Sequence, residues 1–143
     1  MKTHLVAVLL FMAMSVSGIE PALATGSPSI SLTSSCDFIE YVHGRISCGP
    51  AIITVSSVNG FSGTVILSAQ VTYYCTNCSL TATMSPNSVS VSSGGNASST
   101  LRLIPSCQSQ NYCVWDVTIK GTSGNISNST DVVVCWANLV CPH

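Results

Sequence analysis

Residues 51–71, AIITVSSVNGFSGTVILSAQV, contain two runs of alternating apolar and polar residues around a short glycine-rich stretch. Ile53 and Val55 fall on one face of the first run, and Val65 and Leu67 fall on one face of the second. An alternation with a period of two is typical of β-strands that bury one face. The Asn-Gly and Ser-Gly pairs between the runs are turn signals. The stretch therefore predicts two successive strands joined by a short connection.

The same alternation recurs along the chain, for example in CVWDVTIK, where Trp115 and Val117 share a face. No helical pattern of ten or more residues is present, and glycine or proline separates the extended runs. Phe61, Trp115 and Trp136 fall on inward positions, so we expect them in the core. Short strands with turns of this kind favour an all-β sandwich. The predicted strands are 29–35, 51–58, 64–72, 97–104, 112–120 and 126–136, and 79–91 is one run that changes sheets with a kink at Pro86.

The first 24 residues have the pattern of a secretory signal peptide. A short polar start precedes an apolar run at residues 5–14, and Ala22-Leu23-Ala24 is a small-x-small cleavage pattern. The run is too short to cross a bilayer as a helix. We therefore predict a signal peptide at 1–24 and one mature domain at 25–143. The mature chain is expected to be secreted or held at the cell surface, with no membrane span after signal removal.

The composition excludes one class of partner. Charged residues make up only 6% of the chain. Within the predicted domain Arg45, Arg102 and Lys120 are the basic residues, and they do not cluster in the sequence. Binding to a nucleic-acid backbone needs clustered Lys and Arg, so no nucleic-acid partner is expected.

The cysteines predict a disulfide framework, because an even number in an exported chain is typical of one. They are Cys36, Cys48, Cys75, Cys78, Cys107, Cys113, Cys135 and Cys141. Eight cysteines allow 105 connectivities, and the spacing does not choose among them. If successive strands alternate in direction, with 79–91 counted once, every cysteine falls at one end of the sandwich.

The C-x-x-C spacing of Cys75 and Cys78 raises two other possibilities, a redox site and a zinc site. A redox thiol needs a helix N-terminus or a nearby cation to lower its pKa, and neither accompanies this motif in the sequence. A zinc site needs four ligands in tetrahedral reach, which converging cysteines and His43 could supply. Export and the even count favour cystines, with Cys75 and Cys78 each bridged to a neighbouring loop.

Catalytic motifs are missing from the predicted domain. Its only histidines are His43 and His143, and no Gly-x-Ser-x-Gly nucleophile motif is present. Asp37 and Glu40 near His43 are interpreted as ordinary loop charges. No phosphate-binding loop or calcium loop is found. The sequence therefore predicts no enzyme, no cofactor and no metal.

Two further sets of residues are candidate surface sites. Four tyrosines fall at or beside the cysteine end, where they either pack over the disulfides or form a binding surface; they are Tyr41, Tyr73, Tyr74 and Tyr112. Four asparagines lie in N-x-Ser/Thr glycosylation motifs; they are Asn96, Asn125, Asn128 and Asn77. The first three are expected near the end opposite the cysteines, and Asn77 ranks last because its motif contains a bridged cysteine.

Several blocks resemble a family of bacterial and archaeal immunoglobulin-like domains. They are ITVSSVNGFSGTVILSA, TATMSPNSVSVSSGGNASSTLRL and WDVTIKGTSGNISNSTDVVV, in that order, and they cover roughly residues 50–136. The segment CDFIEYVHGRISC and all the cysteines depart from that family. The resemblance implies an immunoglobulin-like antiparallel sandwich of about seven strands. It also implies a non-catalytic structural, adhesive or binding module whose partner is a protein or a glycan.

The last predicted strand contains DVVVCW, which is apolar on both faces. Such an edge strand associates with other strands unless it is covered. Two covers are possible: the tail ANLVCPH, pinned by Cys141, or a strand from a partner. In the second case TGSPSISLTSS at 25–35 is the natural donor, and the chain would self-associate as a filament subunit by strand exchange.

Overall fold

The fold is known from a computed structural model, which describes residues 26–107 and 112–137. Within these ranges the chain forms ten β-strands and no helix. They are β1 (Ser29–Ser34), β2 (Phe38–Val42), β3 (Arg45–Ile46), β4 (Ile52–Val58), β5 (Gly63–Tyr73), β6 (Cys78–Ser85), β7 (Ser88–Val91), β8 (Asn96–Cys107), β9 (Tyr112–Ser123) and β10 (Ile126–Ala137).

The strands form two packed sheets, with the orders β1-β4-β8-β6 and β3-β2-β10-β9-β5-β7. All pairs are antiparallel except β2 with β10, which is parallel. The first sheet, together with β5, β9 and β10 of the second, has the strand division of the constant-type immunoglobulin fold. The predicted fold class is confirmed, and the small strands β2, β3 and β7 account for the higher strand number.

Alternating side chains build the core, as the periodicity predicted. On β9 the inward residues Cys113, Trp115, Val117 and Ile119 are all buried. They belong to the same core cluster as Ile53 and Val55 of β4, which are fully buried. Phe61 is buried as expected, whereas Trp136 is only partly buried and packs against the edge of the core.

The run through Pro86 changes sheets without reversing direction. Its first half, β6, pairs with β8 in the smaller sheet, and its second half, β7, pairs with β5 in the larger sheet. Both pairings are antiparallel, and β5 and β8 run the same way, so β6 and β7 also share a direction. The prediction of one run at 79–91 is confirmed. The connections β1–β4, β5–β6 and β8–β9 and the end of β10 consequently lie together, at what we call the cystine end.

The segment between β1 and β4 contains a hairpin that the sequence reading did not predict. His43 and Gly44 form its two-residue turn with φ values of 51° and 73°, as a type I′ hairpin turn requires. Strand β2 then adds to the larger sheet, with Val133 to Ala137 of β10 beside Phe38 to Val42. Over Val133–Ala137 the edge of β10 is therefore covered by β2, and the expectation of a partner strand there was wrong. The C-terminal tail as a second cover stays a prediction. Residues 138–143 lie outside the described residues.

The proposed donor strand is not free. Ser29–Ser34 forms β1 and pairs along its whole length with β4 of the same chain. Its Ile30 and Leu32 side chains are buried in the core. The interpretation of this segment as a free donor was wrong for the folded monomer.

None of the described residues forms a helix long and apolar enough to cross a membrane. The predicted signal peptide lies outside the described residues.

Gly121 on β9 is closely packed against core side chains of two other strands. A Cβ there would lie 3.0 Å from Leu32 Cδ1 and 3.1 Å from Val65 Cγ1. Because both neighbours are themselves packed in the core, we expect Gly121→Ala to lower the free energy of unfolding by about 1–3 kcal/mol. Urea denaturation followed by tryptophan fluorescence measures this change.

Gly49→Ala is the matched control. A Cβ at Gly49 meets nothing within 4 Å, so its effect should stay within about 0.5 kcal/mol. Equal effects of the two substitutions would contradict the close packing at Gly121.

Candidate binding groove at the cystine end

Three disulfides are described at the cystine end. Cys36 bonds to Cys48, with 6.2 Å between their Cα atoms, and closes the connection that carries the hairpin. Cys75 bonds to Cys113 of β9, with a Cα separation of 5.8 Å. Cys78 of β6 bonds to Cys107 of β8, with a Cα separation of 4.2 Å. All three bridges therefore join residues in or beside the connections at this end.

The two cysteines of the C-x-x-C motif therefore belong to two separate disulfides, as the sequence predicted. Cys75 and Cys78 bond to different partners in different sheets. No cysteine within the described ranges is free, and no group of three His, Cys, Asp or Glu side chains there is placed to hold a metal ion. Among these residues the arrangement offers neither a reactive thiol nor a ligand set.

Cys135 is the seventh cysteine at this end, and it is also disulfide-bonded. It points away from the sandwich core, yet it is fully buried. With Ala137 it forms a second apolar cluster, against which Phe38, Val42 and Val114 pack. The outer face of β10 is thus partly covered here, and Cys141 lies outside the described residues.

An apolar groove of about 390 Å³ lies beside the Cys36–Cys48 bridge. One wall is the hairpin, through Ile39, Tyr41 and Ile46, and the other wall is β8, through residues 100–104. The connection at residues 48–51 forms its end. Ile46 and Ile104 at its rim are 47% and 66% exposed. Apolar walls with exposed apolar rims are typical of binding grooves.

The groove arises because β4 is shorter than β8. The β4–β8 ladder ends at the pair Ile52 and Thr100, whereas β8 continues to Cys107 beside β6. Beyond Ala51 the chain turns away through Pro50 and Gly49 to the Cys36–Cys48 bridge. None of the described residues fills the space that β4 would occupy next to the end of β8.

The electrostatics of the groove are simple. Arg102 is the only charged residue in its lining, and it makes no ion pair within the described part of the chain. Burial raises the pKa of the Tyr41 phenol above its ordinary value, so this side chain is neutral throughout the physiological range. A ligand in the groove therefore meets apolar side chains, neutral hydroxyl groups and one guanidinium.

The four tyrosines do not form a single surface. Tyr41 lines the groove on β2, while Tyr73 and Tyr74 lie at the end of β5, about 14 Å away across three strand spacings. The Tyr73 hydroxyl donates to the Leu80 carbonyl at 3.2 Å, and the Tyr74 hydroxyl donates to Asp116 Oδ2 at 2.6 Å. Tyr112 at the start of β9 is exposed.

Two of the candidate catalytic residues, Glu40 and His43, line a second pocket of about 440 Å³ at the hairpin, together with Arg45 and Ser47. His43 is exposed in the hairpin turn, and Asp37 is exposed just before β2. The Asp37 carbonyl accepts a hydrogen bond from the Val133 amide. Glu40 lies on β2, and its amide donates to Ser47 Oγ at 3.0 Å.

The glycosylation motifs are all accessible. Asn96, Asn125 and Asn128 are exposed at the end opposite the disulfides, at or near the starts of β8 and β10. Asn77 is exposed between β5 and β6, directly before the bridged Cys78. Their use stays a prediction.

Sequence reasoning missed the groove itself. Its clearest signal is Leu103-Ile104-Pro105, which interrupts the alternation of β8 by placing an apolar residue on the outer face. The second signal is the apolar content of FIEYV in the segment between Cys36 and Cys48.

Comparisons with known proteins find similarity in the fold alone. The sequence matches no protein-family profile and no curated protein. Among solved structures, the periplasmic chaperone SfaE has a TM-score of 0.47 at 12% identity, over 78% of this chain and 59% of that one. The E. coli chaperone DraB has a TM-score of 0.45 at 11% identity, over 77% and 56%. The ASH/PapD-like domain 7 of human CEP192 has a TM-score of 0.39 at 11% identity, over 98% and 100%. The chain spans a little over half the length of the two chaperones, and similarity at this level carries no information on partners or activity.

The disulfide pattern predicts a definite peptide map. Non-reducing digestion should recover Cys36 with Cys48, Cys75 with Cys113 and Cys78 with Cys107, and should link Cys135 to Cys141 as the one cysteine left. With eight cysteines in the chain, reduction should add eight hydrogens to the intact mass. The same spectra report leader removal and glycans. A Cys75–Cys78 linkage, or a free thiol, would contradict this pattern.

The Tyr74–Asp116 hydrogen bond predicts a shifted titration. The bond and the Asp116 charge both raise the pKa of Tyr74 above its ordinary value of 10.0, because they favour the neutral phenol. Asp116→Asn should therefore lower this pKa, which can be followed by the ring NMR signals on raising the pH. Asp131→Asn, whose carboxylate accepts from Thr118 instead, is the control and should leave Tyr74 unchanged.

Proposed function

We propose that this chain is a non-catalytic immunoglobulin-like module that acts outside the cytosol and binds a segment of a partner protein in the groove at its cystine end. The observation that carries the proposal is the apolar groove between the hairpin and β8, with Ile46 and Ile104 exposed at its rim. Exposed apolar side chains around a concave surface gain free energy when a partner covers them.

The disulfides support two parts of the proposal, the location outside the cytosol and the binding of a partner in the groove. Bridges of this density are typical of proteins that fold in oxidising compartments outside the cytosol. The Cys36–Cys48 bridge holds the wall of the groove at both ends of its connection. A wall held in place loses little conformational freedom on binding, which favours affinity.

The resemblance to bacterial and archaeal immunoglobulin-like domains agrees with a binding role at the cell surface, and it stays a prediction. Glycans at Asn96, Asn125 and Asn128 would leave the groove open, because these residues lie at the other end of the sandwich. Assembly by strand exchange is less favoured, since β1 is already paired within its own sheet. A purified mature chain that stays monomeric at high concentration would count against assembly and leave the proposed role intact.

The proposal can be tested without knowing the natural partner. Peptides selected from a displayed random library against the folded protein should bind the wild-type chain and lose affinity for Ile104→Ser. Covering an isoleucine contributes about 1.5–3 kcal/mol, so the loss should be roughly tenfold or more. Fluorescence anisotropy of the labelled peptides measures it.

Ile66→Ser is the matched control. Ile66 is 60% exposed on β5, so the two substitutions remove the same side chain from similarly exposed strand positions. We expect the selected peptides to bind Ile66→Ser as they bind the wild type. Equal losses for both variants, or none for Ile104→Ser, would refute binding in the groove.

A further inference from the structure

The open side of β8 presents backbone groups as well as side chains. The Leu101 amide donates to the Ala51 carbonyl at 2.8 Å, so the backbone groups of Leu101 point toward β4. Along an antiparallel strand the two groups of a residue point to one side, and the side alternates from residue to residue. The groups of Leu103 and Pro105 therefore point the same way as those of Leu101, into the space where β4 has ended.

The other side of this segment is occupied. Arg102 and Ile104 lie opposite Thr83 and Thr81 in the β6 ladder, and their backbone groups point toward β6. The open side thus offers the Leu103 amide, the Leu103 carbonyl and the Pro105 carbonyl. Pro105 has no amide hydrogen, so none is left unpaired on this side. Prolines in sheets are usually found at such edge positions.

We propose that the partner segment binds as an additional β-strand on this open side of β8, antiparallel to it, and carries an acidic side chain beside Arg102. This mode rests on the proposed binding function and specifies the chemistry of the partner. An antiparallel guest continues the line of β4, which is itself antiparallel to β8.

The two faces of the guest strand meet different surroundings. Residues opposite each other on neighbouring strands point to the same face. A guest residue opposite Leu103 therefore points inward, toward Ile39 and Tyr41 of the hairpin wall, and must be apolar. Guest residues opposite Arg102 and Ile104 point outward, where an acid matches the guanidinium and a β-branched or aromatic residue matches the isoleucine.

The charge argument favours an acid over a base. Arg102 is exposed, lines the groove and has no opposite charge against it among the described residues. A cross-strand pair of opposite charge stabilises a sheet, and a pair of like charge destabilises it. The partner is accordingly an extended segment with apolar residues at alternate positions and an acidic residue between two of them.

Synthetic peptides test this mode directly. The probes are capped peptides of about eight residues, the length of a short strand, with valine at alternate positions and threonine between. In one series glutamate replaces each threonine in turn, and in a second series lysine does. The best glutamate peptide should bind roughly two- to fivefold more tightly than the matching lysine peptide at low salt.

Charge reversal identifies the guanidinium involved. Arg102→Glu should reverse the preference between the two peptides. Lys120→Glu changes the net charge by the same amount at an exposed position far along β9, so it should leave the preference unchanged. A preference that persists in Arg102→Glu would overturn the charge pairing.

Two measurements test the backbone hydrogen bonds between the peptide and β8. Methylating the guest amide that faces the Leu103 carbonyl should weaken binding about fivefold, the value of one hydrogen bond. The peptide should also slow amide hydrogen exchange at Leu103, while Leu101, already bonded to Ala51, serves as the internal control.

If binding depends on Ile104 but neither methylation nor Leu103 exchange changes, strand addition is wrong and groove binding stands. If binding does not depend on Ile104, both proposals fail.

Discussion

The structure depends on one constraint: the chain from Cys78 to Val91 moves from one sheet to the other while keeping its direction. β6 and β7 are both antiparallel to their partners, which lie in different sheets. If this run had reversed instead, β8 would run the other way and Cys107 would lie far from Cys78. Every connection after β7 would also lie at the opposite end of the sandwich. The change of sheet at Pro86 is thus what brings the disulfides and the groove to the same end.

The core and the disulfides have separate tasks in this sandwich. In antibody domains a bridge between the B and F strands crosses the core, and the corresponding strands here are β4 and β9. Between them the core is filled by Trp115, Ile53 and Val55 instead. Cys78–Cys107 joins neighbouring strands of one sheet, Cys75–Cys113 joins the connection after β5 to the neighbouring β9, and Cys36–Cys48 closes a connection. Burial of apolar surface therefore holds the sheets together, while the bridges fix the loops at one end. Closing the loop at Cys36–Cys48 stabilises the fold by about 3 kcal/mol in the chain-entropy account.

The sequence predicted the parts of the fold that depend on local alternation. Val65, Leu67, Trp115 and Val117 follow a period of two over long strands, and the glycine pairs mark the turns between them. The hairpin between Cys36 and Cys48 was missed for a physical reason. Its strands are short, and β2 pairs along its length with β10, which is distant in the sequence. The burial of Cys135 could not be predicted either, since it depends on Phe38, Val42 and Val114 meeting from different elements. The groove likewise depends on the unequal lengths of β4 and β8, which alternation does not specify.

The edges of the two sheets differ in how far they are covered, and the groove lies at an edge that is only partly covered. An open edge invites pairing with another chain, and natural proteins cover or interrupt such edges. Here the edge of β10 is covered along five residues by β2 of the same chain. The open side of β8 is interrupted only at Pro105, and the hairpin stands beside it without pairing to it. The same hairpin thus covers the edge of β10 in the larger sheet and forms the wall of the groove beside β8 in the smaller sheet. In the proposed binding mode, the partner segment would lie between this wall and the backbone of β8.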